Sequence, residues 1–127
     1  NDVERLVQFY ERALELVATR YTEDFAELST PSCTLAIGST RTMQLFGAGA
    51  AQAGANRSAI LEFHVADGDA ASARLRDMVD EFVQAPTTQS WGNRSLLFRD
   101  PDGALINLFT PVSPEAVQKY AAQIGRR

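Results

Sequence analysis

The chain has only one cysteine and one histidine among its 127 residues, and both scarcities exclude classes of site. A single cysteine rules out an intrachain disulfide and suits a reducing compartment such as the cytoplasm. Because Cys33 stands in the apolar alternation Cys33, Leu35, Ile37, we expect a buried, unreactive thiol. With His64 as the only histidine, the chain alone does not supply an iron site of two histidines and one carboxylate.

Long apolar runs and basic clusters are also lacking. No run approaches the ~20 apolar residues of a membrane span, and the polar N-terminus shows no signal-peptide pattern. The 12 Lys and Arg residues are outnumbered by 16 Asp and Glu residues and form no basic stripe. The sequence therefore predicts a cytoplasmic protein that binds neither membranes nor nucleic acids.

The most informative segment that is present runs from Phe98 to Phe109. Two apolar runs of strand length flank Asp100-Pro101-Asp102-Gly103, which is typical of a tight β-hairpin turn. Asp100 is expected to accept hydrogen bonds from the backbone ahead of it, and Gly103 to supply a positive φ. Asp100 and Asp102 are therefore interpreted as turn residues without a chemical role.

The remaining patterns divide the chain into two similar halves. Strands are expected at Val17–Thr22, Asp24–Ser29 and Cys33–Gly38, and again at Ala59–Ala66, Phe82–Thr87, Arg94–Arg99 and Ala104–Phe109. Helices are expected after Asp2, after Asp67 or Asp69 with the core stripe Leu75, Met78, Val79 and Phe82, and from Ser113 onward. The predicted organisation is module 1 over residues 1–40, a linker over 41–58, module 2 over 59–110 and a C-terminal helix over 113–125.

The first half reads α-β-β-β and the second β-α-β-β-β. If the halves are repeats, one strand is missing before Asn1, and we expect the natural chain to contain it. The alternative is that the chain begins here and that a partner, or nothing, fills the gap.

The order and spacing of several short motifs resemble those of the vicinal oxygen chelate superfamily, the glyoxalase/bleomycin resistance/dioxygenase proteins. The motifs are Asp2-Val3-Glu4-Arg5, Phe9-Tyr10-Glu11, Leu14-Glu15-Leu16, Leu61 through Asp67, Trp91-Gly92-Asn93-Arg94 and Phe98 through Phe109. The resemblance implies one α+β domain over residues 1–127, in which two βαβββ modules form curved mixed sheets around a cavity. It also implies assembly as a homodimer.

Enzymes of this superfamily bind a divalent metal through the first and last strands of each module. In module 2 the chain has Asn107 where the family usually has glutamate, and Ile60 at the companion position. An amide oxygen carries no charge and binds a hard cation weakly, and an isoleucine has no donor atom. We therefore expect no metal and no other cofactor, although a divalent metal stays possible if the missing strand or a partner contributes ligands.

Strand alternation places Ile60, Glu62 and His64 on one face of their strand, toward the expected cavity. The predicted ligand-binding residues are Ile60, Glu62, His64, Trp91, Arg94, Asn107 and Phe109. Three of them have alternative interpretations. Trp91 could cover the sheet edge, His64 could be a hydrogen-bonded interior residue, and Glu62 could pair with Arg94 or, if unpaired, act as a general base.

The sequence thus favours a metal-free protein that sequesters an aromatic or amphipathic small molecule, similar to bleomycin-resistance members and consistent with antibiotic resistance. No catalytic residue is assigned, and an enzyme is not favoured. Two alternatives stay open. One is a metal-dependent glyoxalase-, isomerase- or lyase-like enzyme with atypical ligands, and the other is a non-catalytic dimeric domain.

Overall fold

The computed structural model describes the backbone of residues 2–124 and the side chains of residues 2–121. Within the described residues, four helices and two sheets give the predicted α+β fold. By their contacts the residues fall into two units, Asn1–Ala59 with Asp100–Ala104, and Ile60–Arg99 with Leu105–Arg127. None of the described helices has the length and apolar character needed to cross a bilayer.

The first unit consists of a three-stranded antiparallel sheet and two helices. In chain order its elements are α1 (Val3–Leu14), β1 (Thr19–Thr22), β2 (Phe25–Ser29), β3 (Thr34–Gly38) and α2 (Thr40–Phe46), with strand order β1-β2-β3. Asp2 caps α1 by accepting a hydrogen bond from the Arg5 backbone N–H at 3.0 Å. The buried residues of the unit include Val7, Tyr10, Ala26, Leu28 and Ile37.

The Asp-Pro-Asp-Gly turn belongs to this first unit and has the predicted conformation. Asp100 Oδ1 accepts hydrogen bonds from the backbone N–H groups of Asp102 at 2.9 Å and Ala104 at 3.0 Å, and Gly103 has φ +88°. The buried Tyr10 hydroxyl donates to Asp100 Oδ2 at 2.5 Å. Burial, followed by this hydrogen bond to a carboxylate, raises the pKa of Tyr10 well above its ordinary value.

The second unit has the βαβββ order expected of a module, followed by a helix. Its elements are β4 (Ile60–His64), α3 (Gly68–Leu75), β5 (Gln84–Thr88), β6 (Asn93–Arg99), β7 (Leu105–Pro111) and α4 (Pro114–Ile124). The strand order is β4-β7-β6-β5, in which β4 pairs with β7 in parallel and the other neighbours are antiparallel. Asp67 caps α3 by accepting from the N–H groups of Asp69 and Ala70.

The register gives this sheet two chemically different faces. One face packs against α3, and Leu96, Phe98, Ile106 and Leu108 on it are fully buried together with Ala71 and Leu75 of the helix. Burying such side chains contributes about 1.5–3 kcal/mol each. We call the opposite face, which carries Glu62, His64, Asn107 and Phe109, the open face.

Several expectations from the sequence were wrong or shifted. Cys33 is exposed, because it lies in the turn between β2 and β3, where its carbonyl accepts from the Thr30 N–H. The helix after Asp67 ends at Leu75, so Met78 lies beyond it, half-buried in the following loop. The expected linker 41–58 begins within helix α2, and residue 125 of the expected last helix lies outside the described residues.

Candidate functional site

The open face is formed by alternate residues of β4, β7 and β6. Glu62 is in register with Asn107, and His64 is in register with Phe109. Ser95 of β6 stands opposite Phe109, so it belongs to the same face. Ile60 is half-exposed at the end of this row, at 51%. Four of the predicted ligand-binding residues, Glu62, His64, Asn107 and Phe109, therefore lie side by side, with Ile60 next to them.

Glu62 and Asn107 form a cross-strand pair on this face. Asn107 Nδ2 donates to Glu62 Oε2 at 2.8 Å. The Glu62 side chain is exposed and has no salt-bridge partner among the described side chains. The Asn107 Oδ1 atom is buried and, within the same residues, accepts no hydrogen bond. The pair therefore leaves two oxygen atoms, Glu62 Oε1 and Asn107 Oδ1, as uncommitted acceptors.

Three rings form an aromatic cluster one step along the same strands. The His64 ring stacks on Phe109 with centroids 5.4 Å apart and planes inclined by 13°. Tyr120 of α4 packs against both rings, at 5.0 Å from Phe109 and 5.6 Å from His64. Tyr120 was not among the predicted ligand-binding residues, because its helical spacing indicates an apolar helix face and not where that helix meets the sheet.

A polar group next to the cluster was also not predicted. Gln89 Nε2 donates to Gln84 Oε1 at 2.8 Å and to Ser95 Oγ at 2.9 Å. Ser95 is 2% exposed, so its hydroxyl depends on protein partners. The only signal in the sequence was the polar stretch over residues 87–90, at the end of β5 and just after it, which by itself is typical of a solvated strand end.

Arg94 and Trp91 lie away from this cluster. Arg94 is in register with Thr110, on the face that packs against α3, and its Nε donates to both carboxylate oxygens of Asp69 at 3.1 Å. The predicted Glu62–Arg94 pair is therefore wrong, because the two side chains leave opposite faces of the sheet. Trp91 is 66% exposed in the turn between β5 and β6, and its role in ligand binding stays a prediction.

The side chains of the open face do not fit a divalent metal. The described residues contain no group of three His, Cys, Asp or Glu side chains placed to hold an ion. Ile60 has no donor atom, and Asn107 turns its amide nitrogen, not its oxygen, toward Glu62. A metal ion between Glu62 and Asn107 would need an oxygen atom of each residue directed toward it.

The first unit contains an open pocket of about 320 Å³ at the start of α1. Its lining residues are Asp2, Val3, Glu4, Glu23, Asp24, Ser39 and Arg41. Hydrogen bonds to Arg41 and Ser39 hold the pKa of Asp24 below its ordinary value, and hydrogen bonds to Arg20 and Gln8 do the same for Glu4. These carboxylates are thus already satisfied by neighbouring side chains.

Comparisons with known proteins agree with the fold. A crystal structure of a protein of unknown function from Agrobacterium tumefaciens str. C58 is 26% identical, with 87% of this chain and 86% of that chain covered and a TM-score of 0.72. TioX from Micromonospora sp. ML1 is 22% identical over 87% and 91% of the two chains, with a TM-score of 0.66. A glyoxalase/bleomycin resistance protein/dioxygenase family enzyme from Burkholderia phytofirmans PsJN is 13% identical over 88% and 92%, with a TM-score of 0.75.

Among curated proteins, no significant match is found. The family model described as Glyoxalase/Bleomycin resistance protein/Dioxygenase superfamily matches residues 1–108, which is most of the chain. The chain therefore belongs to the glyoxalase/bleomycin resistance protein/dioxygenase superfamily.

Proposed function

We propose that this protein binds and sequesters an aromatic or amphipathic small molecule on the open face of its second sheet, without a resident divalent metal. The observation that carries the proposal is the aromatic cluster of His64, Phe109 and Tyr120 beside the polar pair Glu62–Asn107. Binding sites for small molecules combine apolar and aromatic walls with a few fixed polar groups. The open face offers aromatic rings and polar groups close together, because the two pairs lie only two residues apart along β4 and β7.

The exposure of the cluster supports binding rather than a purely structural role. His64 is exposed and Tyr120 is half-buried, whereas Phe109 beneath them is 6% exposed. Phe109 thus anchors the cluster, and the other two rings present accessible surface. Ring stacking contributes about 0.5–1.5 kcal/mol beyond the burial of apolar area, which is enough to orient a planar ligand.

The test uses three naphthalene compounds that differ in charge: 2-naphthamide (neutral), 2-naphthamidine (cationic) and 2-naphthoate (anionic). Each is titrated into the full chain and followed by backbone amide chemical shifts and by melting temperature, which ligand binding raises by mass action. We expect at least one compound to bind and to shift the resonances of residues 62–64 and 107–109. The affinity should be the same after treatment with a chelator.

The matched variants are Tyr120→Ala and Tyr21→Ala. Removing the Tyr120 ring is expected to weaken binding about tenfold, because a stacking surface is lost. Tyr21 is an exposed tyrosine of the first unit, and its removal should change the affinity less than about twofold. The proposal fails if none of the three compounds shifts the open face, or if binding requires a divalent metal.

A further inference from the structure

We infer that the ligand class of the open face is a planar aromatic compound carrying a cationic N–H donor group, such as an amidinium or ammonium, which Glu62 recognises. This inference rests on the proposed function and specifies its ligand. It follows from the chemistry of the atoms next to the rings, which on β4 and β7 are a carboxylate and an amide oxygen.

Glu62 and Asn107 leave two acceptor oxygens free and, beside them, a single N–H, the second amide hydrogen of Asn107. Asn107 donates one amide hydrogen to Glu62 Oε2, which leaves Glu62 Oε1 and the buried Asn107 Oδ1 without a partner among the described residues. Glu62 Oε1 belongs to an exposed side chain and is the acceptor that a ligand can reach, and a ligand with N–H groups supplies the complementary donor.

The charge of Glu62 also favours a ligand with a cationic N–H group. The Glu62 carboxylate is exposed and forms no salt bridge with a described lysine or arginine, so its negative charge is available. A hydrogen bond between a cationic N–H and a carboxylate is roughly twice as strong as one between neutral groups. An anionic ligand would be repelled at the same position.

The spacing sets the size of the ligand. Glu62 and His64 are two residues apart on β4, as are their partners Asn107 and Phe109 on β7. Two residues of strand correspond to roughly 6.6 Å, so the ring system and the charged group of the ligand are separated by about this distance. Lys119 Nζ lies 5.1 Å from the centre of the Tyr120 ring, so the cationic group of the ligand belongs at Glu62 and not against this ring.

Asn107 acts in this scheme as a positioning residue. Its Nδ2–H holds Oε2 of Glu62 and thereby fixes the direction in which Oε1 points. An aspartate or glutamate at position 107 would repel Glu62, whereas the amide orients it. The substitution Asn107→Leu is expected to lower the preference for a cation over its neutral analogue, because Glu62 Oε1 then loses its fixed direction.

The experiment compares Kd values for 2-naphthamidine, 2-naphthamide and 2-naphthoate in the wild-type chain, in Glu62→Gln and in the control Glu81→Gln. The Glu62→Gln substitution keeps the length of the side chain and an acceptor for Asn107, removes the charge and replaces the second acceptor oxygen with an amide donor. The control removes the same charge from an exposed loop residue of the same unit.

We expect the wild type and Glu81→Gln to bind 2-naphthamidine about tenfold more tightly than 2-naphthamide, with 2-naphthoate weakest. In Glu62→Gln this preference should fall below about threefold. The inference is overturned if the neutral or anionic compound binds as tightly as the cation, or if the preference survives in Glu62→Gln. In that case Tyr120-dependent binding still supports the proposed function. The proposed function and this inference fail together if no compound binds to the open face or if binding requires a divalent metal.

Discussion

At the scale of the residue, Asp100 shows how one side chain fixes a turn. Its Oδ1 accepts from two backbone N–H groups of the turn, and its Oδ2 accepts from the buried Tyr10 hydroxyl. Asp100 itself is 8% exposed, so its charge is stabilised by these three donors and not by water. Tyr10 and the turn thus depend on each other.

We predict that Tyr10→Phe lowers the free energy of unfolding by about 2 kcal/mol at neutral pH, because it removes a donor from a buried carboxylate. Tyr21→Phe is the matched control. The Tyr21 hydroxyl donates to Glu27 at 3.1 Å, but the residue is 59% exposed, and its loss should cost less than about 0.5 kcal/mol. Urea denaturation of the three proteins measures both values, and equal losses would contradict the role assigned to Tyr10.

The raised pKa of Tyr10 adds a pH dependence to this prediction. The folded state holds the proton of Tyr10 above the ordinary pKa of 10.0, at which the unfolded chain releases it. The stabilisation is therefore complete below about pH 10 and is lost as the pH rises further, by at most about 1.4 kcal/mol per pH unit. The difference between wild type and Tyr10→Phe should shrink between about pH 10 and pH 11, and a constant difference would show that the proton is not involved.

Single residues also show where inference from sequence succeeds. Asp100 and Gly103 could be predicted because turn chemistry depends on neighbours in the chain. Cys33 could not, since the alternation that suggested burial continues past the strand into an exposed turn. The partners of Glu62 and Arg94 were missed because the register between strands decides which residues share a face.

At the scale of the element, the turn between β5 and β6 is joined to the start of α4. The Gly92 carbonyl accepts from the backbone N–H groups of Val112 at 2.8 Å and Ser113 at 3.1 Å. Gly92 has φ +96°, and a Cβ at this position would overlap the hydroxyl of Ser113. Only glycine allows Ser113 to come this close to residue 92, and this contact fixes the position of the start of α4, the helix that carries Tyr120.

We predict that Gly92→Ala lowers the free energy of unfolding by about 3 kcal/mol or more, because it combines backbone strain with a steric clash. Gly49→Ala is the control, since Gly49 has φ +77° but no atom within 4 Å of the added Cβ. Its cost should be about 1 kcal/mol, from strain alone. Thermal or urea denaturation measures the free energy of unfolding of both variants. Similar losses in the two would show that Ser113 moves away from the added Cβ easily.

The elements themselves were largely predictable, and their ends were not. Every expected strand is present, because apolar alternation between turn residues is a strong local signal. Helix α3 stops at Leu75 although Met78 and Val79 continue its apolar spacing. The backbone N–H groups of Met78 and Val79 both donate to the Leu75 carbonyl, so the helix ends there in a turn that side-chain spacing does not reveal. The contacts of Tyr120 of α4 with His64 and Phe109 could not be predicted, because these residues are distant in sequence.

At the scale of the whole molecule, the net charge is −4, and the carboxylates that contribute to it differ in whether they are paired with arginine. In the first unit, Arg20 binds both Glu4, at 2.9 Å, and Glu11, at 2.8 Å, while Arg41 binds Asp24 at 2.5 Å. On the open face of the second unit, Glu62 has no cation of this kind among the described side chains. The acidic balance of the sequence could be read directly, but which carboxylate is unpaired depends on the fold.

The paired carboxylates predict how the molecule responds to acid. Hydrogen bonds from Arg20 hold the pKa values of Glu4 and Glu11 below 4.5, and those from Arg41 and Ser39 hold that of Asp24 below 3.8. Because the folded-state values are lowered, the stabilisation is present above the ordinary pKa values and is lost as the pH falls through the lowered ones. Arg20→Ala should return Glu4 and Glu11 toward 4.5 without changing Asp24, and Arg41→Ala should do the reverse.

Side-chain carboxyl NMR titrations of the wild type and the two variants measure these pKa values directly. The ion pairs are largely exposed, so added salt should reduce every shift in the wild type. Urea midpoints recorded from about pH 5 to pH 3 should fall less steeply in Arg20→Ala, which loses two of the three lowered carboxylates. If both variants keep the wild-type slope, the acid sensitivity of the molecule originates elsewhere and these pairs are incidental to its stability.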